Sequence, residues 1–205
     1  HHFNPENIGV FLFLIFGDNM RLFVALKLPE ELKKQLGRLC KPFAEVARDT
    51  KWSRPDQLHI TLAFIGDVAP AFVPHLCKGL DSVCAAMLPL ECEATGFGFF
   101  GSLRNPTILW AGVEPVYELE ELHEALWREL RRLGYERLKY KFQPHISLAR
   151  CKAKTRNPEV LEAMDSCPVH HFGSWVAEGV TLYESIATAQ GARYRAVHTA
   201  LFATE

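Results

Sequence analysis

Two stretches of this chain, Leu58-His59-Ile60-Thr61-Leu62-Ala63 and Pro144-His145-Ile146-Ser147-Leu148-Ala149, share one pattern: a histidine, an isoleucine, a hydroxyl residue, a leucine and an alanine. Apolar alternation predicts a strand over each, Leu58–Ile65 closed by Gly66-Asp67, and Phe142–Arg150. Side chains along a strand point to alternate faces. In the first copy Leu58, Ile60, Leu62 and Phe64 are expected in the core, with His59, Thr61 and Ala63 on the other face. In the second, Ile146 and Leu148 are expected inside, and His145, Ser147 and Ala149 opposite. One His-x-Thr occurs freely and says little. Two copies on equivalent strands predict two related lobes, each presenting a histidine and a hydroxyl to a shared cleft.

The residue types point to acid–base chemistry. Imidazole titrates near pH 6.5, so a pair can divide the work near neutrality. One ring takes a proton from water while the other delivers one to a leaving oxygen. Each hydroxyl can donate to a phosphoryl oxygen. Together these groups supply acid, base and oxyanion contacts with no metal.

Working outward, Arg21–Leu28 alternates as a strand and Pro29 opens a helix over Glu30–Arg48. Trp52–Leu58 reads as a connector, Ala71–Ala86 as a helix, Leu88–Phe100 and Thr107–Val113 as strands. Leu119, Leu122, Leu126, Leu130 and Leu133 form the stripe of an amphipathic helix that Gly134 stops. A short helix at Pro158–Met164 and strands at Phe172–Tyr183 and Tyr194–Phe202 complete the reading. Strict βαβα alternation is absent, which favours an α+β fold over a doubly wound sheet.

Composition narrows the class. The 205 residues are 48% hydrophobic and 23% charged, ordinary for a globular chain and wrong for a disordered one. The formal charge of −1 argues against a bulk nucleic-acid coat protein. It conceals a segment, Arg137–Arg156, with seven basic residues and no acidic one, which brackets the second histidine strand and suits an RNA backbone path. Six scattered cysteines without a CxxC pair fit a reduced, cytoplasmic protein. Cys167, His170 and His171 have no second half to make a zinc site, so no metal is expected. The apolar run Val10–Phe16 falls short of the roughly 20 residues of a membrane span. His1 and His2 resemble a tag, so residues 1–19 are expected to be a non-native leader and 20–205 a single domain.

With the paired motifs in place, the chain resembles the 2H phosphoesterases, named for two H-x-[TS] motifs, and among them the RNA 2′,3′-cyclic phosphodiesterases, first described as 2′-5′ RNA ligases. The resemblance rests on RLFVALKLP (21–29), PDQLHITLAFIGDV (55–68), GFGFFGSLRNPTILWAGV (96–113), KFQPHISLAR (141–150) and GARYRAVHTALF (191–202). It implies a bilobal α+β fold, two pseudo-symmetric lobes of antiparallel sheet with outer helices around a central cleft. It implies hydrolysis of an RNA terminal 2′,3′-cyclic phosphate to a 2′-phosphate, with 2′-5′ ligation as the reverse of the same chemistry. His59 is then the proton donor, His145 the proton acceptor, and Thr61, Ser147 and Arg150 hold the phosphate. No cofactor is called for. RNA 3′ ends or small cyclic nucleotides are the partners, no membrane is involved, and a monomer is the default. Ser147 stands where threonine is commoner. Simple alternation puts Arg150 opposite His145, so it reaches the cleft only where the strand twists, bulges or ends.

Phe97, Phe99 and Phe100 lie in a glycine-interrupted stretch. Core packing is expected for at least two of them, and a base-stacking platform for Phe97 or Phe99. Trp52 and Arg54 are placed to rim the cleft, and Trp110 to fill the core. The competing function is an RNA- or nucleotide-binding module without turnover, against which the retention of both histidines counts.

Overall fold

A computed structural model describes residues 19–47, 50–152 and 158–204. The elements run β1 (Met20–Leu26), α1 (Glu30–Val46), β2 (Lys51–Trp52), β3 (Ile60–Val68), α2 (Val73–Cys84), β4 (Leu90–Ser102), β5 (Asn105–Glu114), α3 (Val116–Arg132), β6 (His145–Arg150), α4 (Pro158–Asp165), β7 (His171–Ala177), β8 (Gly179–Thr188) and β9 (Gly191–Leu201). Residues 1–18 of the expected leader lie outside the described residues, as do Lys154 and Arg156 of the basic segment.

One antiparallel sheet runs β7-β4-β5-β6-β3-β1-β8-β9, with β2 added to β6. The two histidine strands are its central pair, four strands to a side, and they meet through a single register pair, Ile60 with Ile146. A pseudo-two-fold axis therefore passes through that pair. It relates β1–α1–β3 to β5–α3–β6. Each unit's helix crosses to the other half: α3 packs on β3, while α1 packs on β7 and α4. The leucine stripe of α3 (Leu119, Leu122, Leu126, Leu130) is wholly buried, with Trp127 between, and the left-handed Gly134 (φ 94°) follows its end.

The expected strand Phe172–Tyr183 is in fact two strands at opposite ends of the sheet. β7 pairs with β4, whereas β8 pairs with β1 and β9. The chain crosses between lobes at Glu178, whose carbonyl accepts from Phe202 N at 2.8 Å. Gly179 fits there because a Cβ would lie 2.2 Å from the Ala200 carbonyl oxygen. Gly66-Asp67 does not close β3 either. Gly66, at φ 92°, is a bend within it, and pairing continues to Val68 opposite Met20. β2, which shares only Trp52 with the segment read as a connector, is a two-residue strand too short to leave a periodic signal.

Both histidine strands carry an irregularity at the same motif position. β1 pairs Ala25 with Thr61 but Val24 with Ala63, and β5 pairs Trp110 with Ser147 but Leu109 with Ala149. The leucine of each motif, Leu62 and Leu148, is the residue passed over. An extra residue breaks the period-2 alternation beyond it. Leucine and alanine of each motif are therefore both buried, and the residue after each alanine returns to the histidine face. Those residues are Phe64 and Arg150. Phe64, expected in the core, instead lines the cleft.

Candidate active site

The two imidazoles are held alike. His59 lies just before β3, its Nδ1 2.7 Å from the Gln57 carbonyl, and His145 opens β6, its Nδ1 2.6 Å from the Gln143 carbonyl. A carbonyl only accepts, so each Nδ1 carries a proton and each Nε2 is left for chemistry. Thr61 Oγ1 lies 3.0 Å from His59 Nε2 and donates to it when the ring is neutral. Each ring also meets an aromatic edge-to-face: His59 with Tyr194 (5.1 Å, 89°) and His145 with Phe100 (4.9 Å, 87°). Phe23 closes over His59 at 5.0 Å.

The pairing of Ile60 with Ile146 sets His59 level with Ser147, and His145 level with Thr61. Each histidine is thus level with the hydroxyl of the other lobe, while the hydroxyl in contact with His59 is Thr61 of its own strand. A cavity of about 220 Å³ opens here, walled by His59, Thr61, Ser147 and Arg150 together with Lys51, Phe64 and Tyr194. His145 shares the face of Ser147, two residues along β6, with its ring among Phe100 and Trp110.

Burial governs the electrostatics. It pushes the His59 imidazole down to about 4, helped by the neighbouring His145 and by Lys33, against the Gln57 carbonyl. His145 is lowered chiefly by burial and further by the Arg150 cation, against the Gln143 carbonyl. Both shifts favour the neutral ring in the free protein.

Of the residues picked from sequence, His59, Thr61, Ser147 and Arg150 come together around the cavity. Arg150 does so through the irregularity at Leu148. Phe97 and Phe99 do not reach it. Phe97 packs on Phe172 (4.6 Å) and Phe43 (5.3 Å), and both line a separate hollow beside α4. Phe100, one residue on, is the ring against His145. Trp110, expected in the core, is half-buried at 6.3 Å from His145, and Gly98 opposite it has no room for a Cβ, which would lie 2.2 Å from the indole. Trp52 rims the cleft as expected, whereas Arg54 pairs with Asp56. His171 is 2.6 Å from Glu93, and His170 offers its carbonyl to Gly96 and Thr95. Sequence reading passed over Lys51 and Tyr194, which come from separate segments and converge only through the sheet. It also passed over His123, buried on α3, whose Nδ1 donates to the Leu62 carbonyl at 2.7 Å and braces the irregular turn of β3. Among the described residues, no helix is long and apolar enough to cross a membrane.

A curled antiparallel sheet with two H-x-[TS] strands paired on a pseudo-two-fold axis defines a phosphoesterase of the 2H class. Comparison with known proteins is more specific. The LigT-like phosphoesterase family pattern matches residues 26–110. An RNA 2′,3′-cyclic phosphodiesterase of Archaeoglobus fulgidus is 30% identical over 176 residues, 86% of this chain and 97% of the relative. One of Thermotoga maritima is 27% identical, covering 89% of this chain and 96% of that one. A Thermus thermophilus crystal structure superposes with a TM-score of 0.75 at 28% identity, covering 91% of this chain and 100% of that one. Escherichia coli LigT complexed with phosphate shares the fold at a TM-score of 0.68 and 22% identity, covering 92% of this chain and all of that one. The chain belongs to the LigT-like phosphoesterase family, among relatives that are RNA 2′,3′-cyclic phosphodiesterases.

Proposed function

We propose that this protein hydrolyses the terminal 2′,3′-cyclic phosphate of RNA to a 2′-phosphate. The observation that carries the reading is the cross-lobe arrangement: two imidazoles whose Nε2 atoms are left for chemistry, each level with the other lobe's hydroxyl. His145 Nε2 takes a proton from water, whose oxygen attacks phosphorus. The P–O3′ bond breaks, and His59 Nε2–H delivers its proton to O3′. Thr61, Ser147 and Arg150 steady the phosphoryl oxygens. RNA 3′ ends bearing a cyclic phosphate, or small cyclic nucleotides, are the substrates, and a reduced cytoplasmic setting suits the free cysteines.

The test is turnover of an oligoribonucleotide ending in a 2′,3′-cyclic phosphate in excess EDTA. The expected product is the 2′-phosphate, at an unchanged rate. No turnover, loss of activity in EDTA, or a 3′-phosphate product counts against the mechanism.

The pH profile should be displaced from that of free imidazole. A working pair has one ring charged and one neutral. That state of the free enzyme peaks between two values that burial has set below 6.5. kcat/KM, which reports the free enzyme, should therefore trace a bell centred below pH 6.5 and fall as pH rises further. A bound phosphodiester is an anion and favours imidazolium, so the kcat bell should lie at higher pH. Parallel measurement of both profiles checks this, and a kcat/KM bell centred above neutrality would contradict it.

A further inference from the structure

The cavity holds one more cation than the scissile phosphate requires. β2 pairs with the end of β6 so that Lys51 stands directly opposite Arg150. Opposed residues of an antiparallel pair share a face at about 4.5–5.5 Å between Cβ atoms, and like charges there repel. Both residues line the cavity, whose described wall contains no carboxylate. Among the described residues, neither has an ion-pair partner. The Lys51 ammonium lies by the turn between β8 and β9, where a Cβ on Gly191 would approach Nζ to 3.3 Å. Because β2 pairs with the Arg150 end of β6, four residues along from Ile146, this charge stands on the side of the cavity away from the pairing of Ile60 with Ile146.

A like-charged cross-strand pair without a carboxylate is a cost to the free fold that an anion removes. A cyclic phosphodiester carries a single negative charge, which Arg150 on the histidine strand suffices to balance. A second cation beside it calls for a second anion at a short distance. At an RNA end, that anion is the phosphodiester on the 5′ side of the terminal nucleotide. We propose that Lys51 binds this upstream phosphate, so that the enzyme selects a cyclic phosphate at the end of a chain over a free nucleoside cyclic phosphate. The proposal rests on the phosphodiesterase reading above and adds a chain-length preference to it.

The test compares kcat/KM for a dinucleotide ending in a 2′,3′-cyclic phosphate with that for a nucleoside 2′,3′-cyclic phosphate. It is run on the full chain with Lys51 intact, with Lys51→Met and with Lys51→Arg. The intact protein should favour the dinucleotide by about tenfold or more, the scale of a charge-assisted contact. Lys51→Met should bring the ratio towards one, and Lys51→Arg should restore most of it. On the dinucleotide, the slope of log kcat/KM against log salt should become shallower in Lys51→Met by about 0.7, the single-strand value per phosphate contact. An unchanged ratio in Lys51→Met, or equal losses on both substrates, overturns the proposal; equal losses would place Lys51 on the scissile phosphate. Turnover of the nucleoside substrate with no preference for the dinucleotide overturns the proposal alone. Inactivity of the intact protein on both substrates overturns the phosphodiesterase reading with it.

Discussion

His59→Ala and His145→Ala should each lower kcat/KM by about 10²–10⁴-fold on a cyclic-phosphate RNA, the usual worth of a positioned acid or base. Each ring is fixed by its own carbonyl and neither can reach the other's place, so one cannot cover for the other. The double variant should be little worse than the worse single one, because groups that act as a unit are not additive. Near wild-type activity in either single variant would end the two-histidine assignment. A second substrate separates the roles. An aryl phosphodiester has a leaving group that departs without a proton. His59→Ala should recover much of its deficit on that substrate, whereas His145→Ala, lacking the base, should not. The opposite pattern would exchange donor and acceptor.

The duplicated motif made the core of this design legible from sequence, because period-2 alternation and residue chemistry are both local. It placed His59 and Thr61, and His145 and Ser147, on shared faces of two strands, and the sheet sets those strands side by side. What escaped is non-local. Whether Phe172–Tyr183 is one strand or two depends on partners 76 to 87 residues away in the case of β4, and Glu178 leaves no turn signature. The face of Phe64 and of Arg150 depends on an extra residue at Leu62 and Leu148, which only the pairing with β1 and β5 reveals. The aromatic beside His145 was misjudged among three neighbours for a related reason. β4 shifts register between Thr95 and Phe97, and alternation then puts Phe97 and Phe99 on the helix side and Phe100 on the cleft side. Lys51 belongs to a strand of two residues, whose only periodic evidence is its partner.

Arg150 is where that irregularity has its largest consequence, and Arg150→Met should lower kcat/KM by about 10²-fold, as expected for loss of a guanidinium that bonds a phosphoryl group through two donors. Geometry and charge both contribute. The shift at Leu148 turns the side chain onto the face of His145 and Ser147, where its fork can grip two oxygens of the anion. Arg150→Lys should recover only part of the rate, since an ammonium supplies the charge without the planar fork. The same substitution has a second signature. Burial and then the Arg150 cation hold His145 below its ordinary range, so removing the cation lets that imidazole rise. A base must be neutral to work. The centre of the kcat/KM bell, set by both values together, should therefore move to higher pH in Arg150→Met and stay near its original position in Arg150→Lys. A residue that merely supported the strand would cost activity in both variants and move neither limb. A bell whose centre stayed in place, or moved to lower pH, in Arg150→Met would take the Arg150 cation away from His145 and leave it a structural residue of β6.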